Sequence, residues 1–398
     1  MNIVKVTHLF LLLTLLTGCW DLQEVNEISI VSGLAIDKGS ESRYRLTVEL
    51  FNPSEMGSEN ASGHTASIVL GIEGDSLGEL THKINTVISR KPIYSHMKTV
   101  IISEEIAQAG IEEIFDIMDR HREIRNDFNI LVVEAPNLAA DALRITYPLQ
   151  KVSTQKINSQ AETFQNEWGG DPGIRLMDLV DAIVSPGREP TTSVIKIIGG
   201  VQQGSTVENN QATTPLTYIE MVGNSVFKDN KLIGKMSLVN TRSYLLTQNN
   251  LNRTSIAITC SENKTVDIRI KRMKANTTVK MIGGVPKIQI NISGEGTLEG
   301  SQCRDSIASF KVTDEYEKKS AKLIADEVFQ TINLAQKKYG SDIFGFGETL
   351  YKSTPSEFNK VKDNWNEVFS EAQVEVDATI KIRRSGLRID SYLNELNE

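Results

Sequence analysis

Three features of this 398-residue sequence predict a multidomain α+β fold with mixed or antiparallel sheets and packed helices. Apolar residues alternate with period two near both ends of the chain. A single long amphipathic stretch lies late in it. Between them no regular strand–helix–strand series repeats.

The elements follow in order. Residues 28–52 predict a β-hairpin: Ile28, Ile30 and Leu34-Ala35-Ile36 run into the turn-forming Asp37-Lys38-Gly39-Ser40, and Tyr44, Leu46, Val48 and Leu50 alternate beyond it. A polar loop over 52–63 leads to a strand over 65–71. Residues 76–89 then form a helix with Leu80, Ile84, Val87 and Ile88 on one face, stopped by Pro92. Thr99 to Ser103 is a short buried strand. Ser103 with Glu104-Glu105 opens a helical stretch that Gly110 interrupts, and Ile111, Ile114, Phe115 and Met118 make the apolar face of its continuation. A strand over 130–133 and a helix over 136–144 follow, and 150–176 carries no clear period. Leu176 to Val184 reads as a short helix and Val194 to Gly200 as a strand.

The stretch 201–215 is poor in apolar residues, so the main boundary is placed there, as a polar linker between an N-terminal α+β region over 19–200 and a C-terminal α+β domain over 216–398. In the second region a strand over 218–227 turns through Lys228-Asp229-Asn230-Lys231 into Leu232-Ile233-Gly234, and a helix covers 236–246. Strands are expected around 256–260, 266–270 and 286–298. Thr313 to Tyr339 is the long helix, with Ala321, Ile324, Val328, Ile332 and Ala335 on its buried side, and Val374, Val376, Ala378 and Ile380 form the last strand. One long helix on a sheet is the expected C-terminal architecture.

The first residues speak to location. Val6 to Thr17 is mostly apolar, too short to span a bilayer, and closes with Leu16-Thr17-Gly18-Cys19 before the charged Asp21 and Glu24. Residues 1–18 thus read as a lipoprotein signal peptide, because the small residues before Cys19 resemble a lipobox, in which the cysteine thiol becomes a thioether to diacylglycerol. Acyl chains at Cys19 would tether the chain to a bilayer. A net charge of −8 argues against nucleic acid or anionic lipid as a main partner. With Cys19 lipidated, Cys260 and Cys303 remain; export permits a bond between them, and two buried thiols are equally compatible with their neighbours.

No motif carries catalysis. Ser193 and Lys196 have an S-x-x-K spacing, which needs a helical turn to bring the two together, and their neighbours read as strand; the companion S-D-N and K-T-G elements are missing. Gly345 and Gly347 give an incomplete glycine-rich series after a helix, read as a packed turn exposing Phe344 and Phe346. His64, His82, His96 and His121 stand apart, without metal-site spacing, and His96 suits a packing or hydrogen-bonding role. Arg120, Arg122 and Arg125 could bind an anion or a partner carboxylate, although Asp119, Glu123 and Asp127 among them favour a salt-bridged surface. Neither enzyme activity nor a cofactor or metal is expected.

Several segments together resemble the C subunit of spore germinant receptors, the Ger(x)C family. They are the lipobox with Trp20-Asp21, Ile28 to Asp37, Ser95-His96-Met97-Lys98 ahead of Ile101-Ile102, and the stretch Arg120 to Asn126. Val222-Gly223-Asn224-Ser225-Val226-Phe227-Lys228 continues into Leu232-Ile233-Gly234, and Asp342 to Gly347, Trp365 and Ile382-Arg383-Arg384-Ser385-Gly386 complete the set. The resemblance implies a lipoprotein on the outer face of the inner spore membrane, working with A-type and B-type membrane subunits in nutrient sensing. It implies several α+β domains and no catalytic residues, and leaves direct small-molecule binding open. A solute-binding lipoprotein of a transporter is the alternative, disfavoured by the lack of two repeated α/β lobes, and a cell-envelope hydrolase would need a nucleophile and base that the sequence does not offer.

Overall fold

A nine-stranded mixed sheet organises the first two-thirds of the chain. The computed structural model describes residues 24–55, 65–303, 305 and 309–384; the leader, Cys19 and Ser385-Gly386 lie outside them. The strands are β1 (Ile28–Asp37), β2 (Tyr44–Phe51), β3 (Ser67–Gly74), β4 (Lys91–Ile93), β5 (Thr99–Ser103), β6 (Asn129–Val133), β7 (Ser193–Ile198), β8 (Tyr218–Lys228) and β9 (Lys231–Met236). Their order is β3-β2-β1-β5-β6-β7-β8-β9, with β4 beside β1.

The centre of this sheet is parallel: β1, β5, β6 and β7 run the same way, and antiparallel hairpins flank them. That differs from the expectation of no strand–helix–strand series. β5 and β6 are buried on both faces, so they read as unbroken apolar runs instead of alternating ones. Val100, Ile102, Ile130 and Val132 face one core, with α1 (Leu77–Lys83), α2 (Glu104–Ala109) and α3 (Glu112–Arg120). Ile101, Leu131 and Val133 face the other, with α4 (Ala139–Arg144) and α5 (Ser153–Glu167). α6 (Leu176–Val184) returns to the first face through Leu176 and Leu179.

Two acids on the strands anchor the second layer. Asp37 accepts hydrogen bonds from Ala139 N (2.6 Å) and Ala140 N (2.9 Å), the first turn of α4. Buried Glu49 takes Ser153 N, Thr154 N and Thr154 Oγ1 at 2.6–3.0 Å, together with the hydroxyls of Ser32 and Ser67. α5 has no cap from its own sequence, so this distant carboxylate satisfies its first free N–H groups and complements its dipole. The approach leaves no room at Gly33, where a Cβ would lie 2.4 Å from Thr154 Cγ2.

The polar stretch 201–215 forms two short helical turns, α7 (Val201–Gly204) and α8 (Val207–Gln211). It does not divide two sheets, since beyond it β8 pairs with β7 and β9 with β8. Its polar residues hold it against the first sheet: Asn209 donates to Thr146 O and Thr217 O and accepts from Thr217 N. Composition marked a linker where side-chain hydrogen bonds make an ordered turn.

α9 (Leu238–Thr247) leads into the second body and is buried on nearly every side. That body is a four-stranded sheet of β10 (Arg253–Ser261), β11 (Lys264–Ile282), β12 (Val285–Ser301) and β13 (Gln373–Arg384), in sequence order. The first three are antiparallel, and β13 runs parallel to β12. The long helix α10 (Phe310–Leu334) lies on this sheet through Tyr316, Ile324, Val328 and Ile332, as the sequence predicts, and ends in a π turn over 335–339. α11 (Phe346–Ser353), α12 (Pro355–Phe358) and α13 (Trp365–Ser370) complete the crossover to β13. Cys260 and Cys303 form a disulfide that ties the end of β10 to the chain leaving β12.

Replacing Glu49 by Gln would set an amide NH2 among donors in a buried site. Urea unfolding of Glu49→Gln is expected to show a loss of about 3 kcal/mol, and a loss within the error of a surface substitution would discount the cap.

Candidate interaction site

The arginine segment begins where α3 ends. Its helix finishes at Arg120 because His121 turns into extended backbone. Arg120 Nε bonds Asp116 at 2.9–3.0 Å, one turn earlier on the same helix. Arg125 lies 3.3 Å from Asp127, which also holds Lys98 at 3.2 Å, while Glu123 pairs with Lys91 at 3.3 Å. The salt-bridged surface is therefore present, although Asp116 takes Arg120 and Asp119 does not. Arg122 is exposed and has no ion pair among the described residues. Of the three arginines it is the one without a carboxylate partner among the described residues.

Beneath this surface the histidines do not all stand apart. His121 stacks on His82 of α1 with centroids 5.8 Å apart, and Tyr94 meets His121 edge-on at the same distance. Nδ1 of His121 accepts Glu123 N at 3.3 Å, which fixes the neutral ring with its proton on Nε2, facing Thr81 Oγ1 at 3.4 Å. Burial, then neighbouring His82, hold its pKa below the usual imidazole value against the pull of Glu123. The pair lies 39 positions apart in sequence, so only the packing of α1 on α3 could reveal it. His96 is exposed, contrary to the packing role expected of it.

The two catalytic-looking motifs resolve into structure. Ser193 and Lys196 lie on β7, one buried and one exposed. The glycine-rich turn is a cradle for an internal anion. Asp342 Oδ1 accepts Phe344 N (3.1 Å) and Gly345 N (2.9 Å), and Oδ2 accepts Gly347 N (2.9 Å) and Trp365 Nε1 (2.8 Å). Those amides resemble a phosphate loop because they bind a carboxylate of their own chain at the start of α11. Phe344 and Phe346 are buried and stacked, with centroids 5.2 Å apart, instead of exposed.

The same turn joins the two bodies. Asp342 O accepts Glu189 N (2.9 Å), Ser341 Oγ donates to Phe227 O of β8 and Tyr339 donates to Lys235 O of β9. Asn366 donates to Glu189 Oε1 at 2.7 Å. Farther along the seam, Arg242 of α9 makes a two-pronged bond to Glu327 of α10 at 2.7–2.8 Å, stacked over Trp168. Among the described residues no cluster of three metal-ligating side chains occurs, and no helix is long and apolar enough to cross a membrane.

Two family models match the chain in succession. One described as spore germination protein N-terminal domain covers residues 21–197, and one described as spore germination B3/GerAC like, C-terminal, covers 222–386. Spore germination protein KC of Bacillus subtilis (strain 168) is 26% identical over 389 residues, spanning 94% of this chain and 93% of that protein. Spore germination protein B3 of the same organism is 23% identical over 393 residues, spanning 96% and 98%. The crystal structure of the GerBC protein shares the fold, with a TM-score of 0.51 at 20% sequence identity over 91% of this chain and 99% of that one.

The neutral His121 has a pH consequence. Its lowered native pKa gives stability that is full above the unfolded-state value of about 6.5 and is lost as pH falls through the native value. Wild type is expected to lose more stability than His121→Gln between neutral and mildly acidic pH; parallel losses in urea titrations would remove the assignment.

Proposed function

Because the chain belongs to the Ger(x)C/GerAC spore germination receptor family, we propose that it is a lipid-anchored, non-enzymatic subunit of a nutrient germinant receptor. It sits on the outer face of the inner spore membrane and assembles there with the A-type and B-type membrane subunits. Family membership supports the role in the receptor complex. The observation that carries it is the succession of the two family matches, which together take in most of the chain in the order the family has them.

Cys19 supplies the attachment in this reading, through the lipobox ahead of it. The anionic balance of the chain leaves the lipid to hold it without a basic patch. The exposed Arg122, with Arg120 and Arg125 already engaged at their own carboxylates, supplies a contact to a partner subunit. A free guanidinium offers a forked, two-bond grip on an acidic side chain, which suits an interface between subunits.

Two experiments test this. Incorporation of radiolabelled palmitate is expected to fall to background in Cys19→Ala, and label retained in that variant would sink the anchor. Arg122→Gln is expected to leave unfolding stability within about 0.5 kcal/mol of wild type. It should also lower the yield of membrane subunits recovered with the tagged protein from dormant-spore membranes. An unchanged yield removes the interface, and recovery of a transporter ATPase and permease instead would favour the solute-binding reading.

A further inference from the structure

A groove of about 650 Å³ runs along α5, between the chain at 147–150, β8 and the start of α9. Its walls are mainly apolar: Tyr147, Phe164 and Met221 line it, and Leu149 stands fully exposed at the rim. One cation reaches into it. Lys156 Nζ donates to Gln160 Oε1 (2.5 Å) and Ile219 O (3.2 Å), and lies 4.3 Å from the centre of the Tyr147 ring. All three neighbours are neutral.

The carboxylates nearby do not supply the missing charge. Glu167 and Glu220 both line the groove, but Glu167 is held by Arg253 and Arg269, Glu220 is exposed, and Lys156 has no ion pair among the described residues. Burial is the only influence on its ammonium, and it pulls the pKa down to about 8. Lys156 is half-buried, and the fully buried charges described above are satisfied: Arg242 by Glu327, Glu49 and Asp342 by rings of donors. A desolvated cation without a counter-ion costs free energy, and such groups in concave apolar sites mark places where a ligand completes the charge balance.

We infer that this groove binds a small apolar monocarboxylate, its apolar body against Tyr147, Phe164 and Met221 and its carboxylate on Lys156 Nζ. A phosphate fits less well, because there is a single cation and the α5 N-terminus is already occupied by Glu49. An amine would face the ammonium directly. The inference does not depend on the membrane anchor or on the partner subunits.

Membranes carrying the full chain can be treated with a water-soluble acetylating ester at pH 8, where Lys156 is substantially neutral and ordinary lysines, with pKa near 10.4, are not. Mass spectrometry then gives the rate at each lysine. Added 4-phenylbutyrate is expected to slow acetylation of Lys156 by about threefold or more and to leave the exposed Lys151 and Lys196 unchanged. 4-Phenylbutanol and 4-phenylbutylamine should not protect. Leu149→Asp, at a fully exposed position, should weaken the protection by placing a carboxylate at the rim. No slowing at Lys156, equal protection by the alcohol, or undiminished protection in Leu149→Asp would each overturn the proposal.

Discussion

The carboxylate of Asp342 holds the position on which the relation of the two sheets rests. Burying an acid this completely is costly, and burial pushes its pKa up to about 6 against the pull of its donors. Three backbone amides and the Trp365 indole meet its two oxygens, and its own carbonyl receives Glu189 from the first body. Together these bonds fix four segments: the turn, the start of α11, α13 and the chain ahead of β7. The turn tolerates this only with glycine at two places. Gly345 has φ of 75°, and a Cβ on Gly347 would lie 2.5 Å from Trp365 Nε1.

The device recurs. Asp37, Glu49 and Asp342 are acids far from the helices they serve in two cases and one turn away in the third, and each accepts the free amides of a helix start. A local cap fixes only a helix end. A distant acid also fixes where the helix lies on the sheet, because the strand that carries it is already in register. Glu49 is joined besides by Ser32 of β1 and Ser67 of β3, so three neighbouring strands and α5 meet at one buried charge.

Much of the architecture could be read from residue order, and the failures share a cause. The first hairpin, the break at Gly110, the long helix and the last strand obey periodicities that local sequence carries. The parallel centre of the first sheet did not show, because strands covered on both faces lose the alternation that marks a sheet. β11 extends well beyond the expected strand at 266–270 because Lys271 to Thr278 keeps only Met273 and Ala275 inward, amid polar residues and a bulge. α5 was illegible for the same reason, with small and polar residues on its packed face. The neutral histidine pair, the buried Phe344 and Phe346 and the ordered turn at 201–215 all depend on contacts between distant segments. Arg120, Arg122 and Arg125 were legible as a charged surface, whereas which of them stays unpaired required the three-dimensional arrangement. Nothing in the sequence around Lys156 announces its place in the groove.

The parallel pairing of β12 with β13 sets an order of events as the chain emerges. A chain emerging N-terminus first has delivered all nine strands of the first sheet once Met236 has appeared, and that sheet can close before the remainder arrives. The second sheet cannot. Its seventeen-residue strand β12 waits with one edge open until the final strand, more than seventy residues later, arrives to cover it. For that interval the nascent protein presents a long unpaired template to its neighbours. A chain cut short before residue 373 therefore carries the strands of a complete first sheet joined to a second sheet whose β12 edge has no partner.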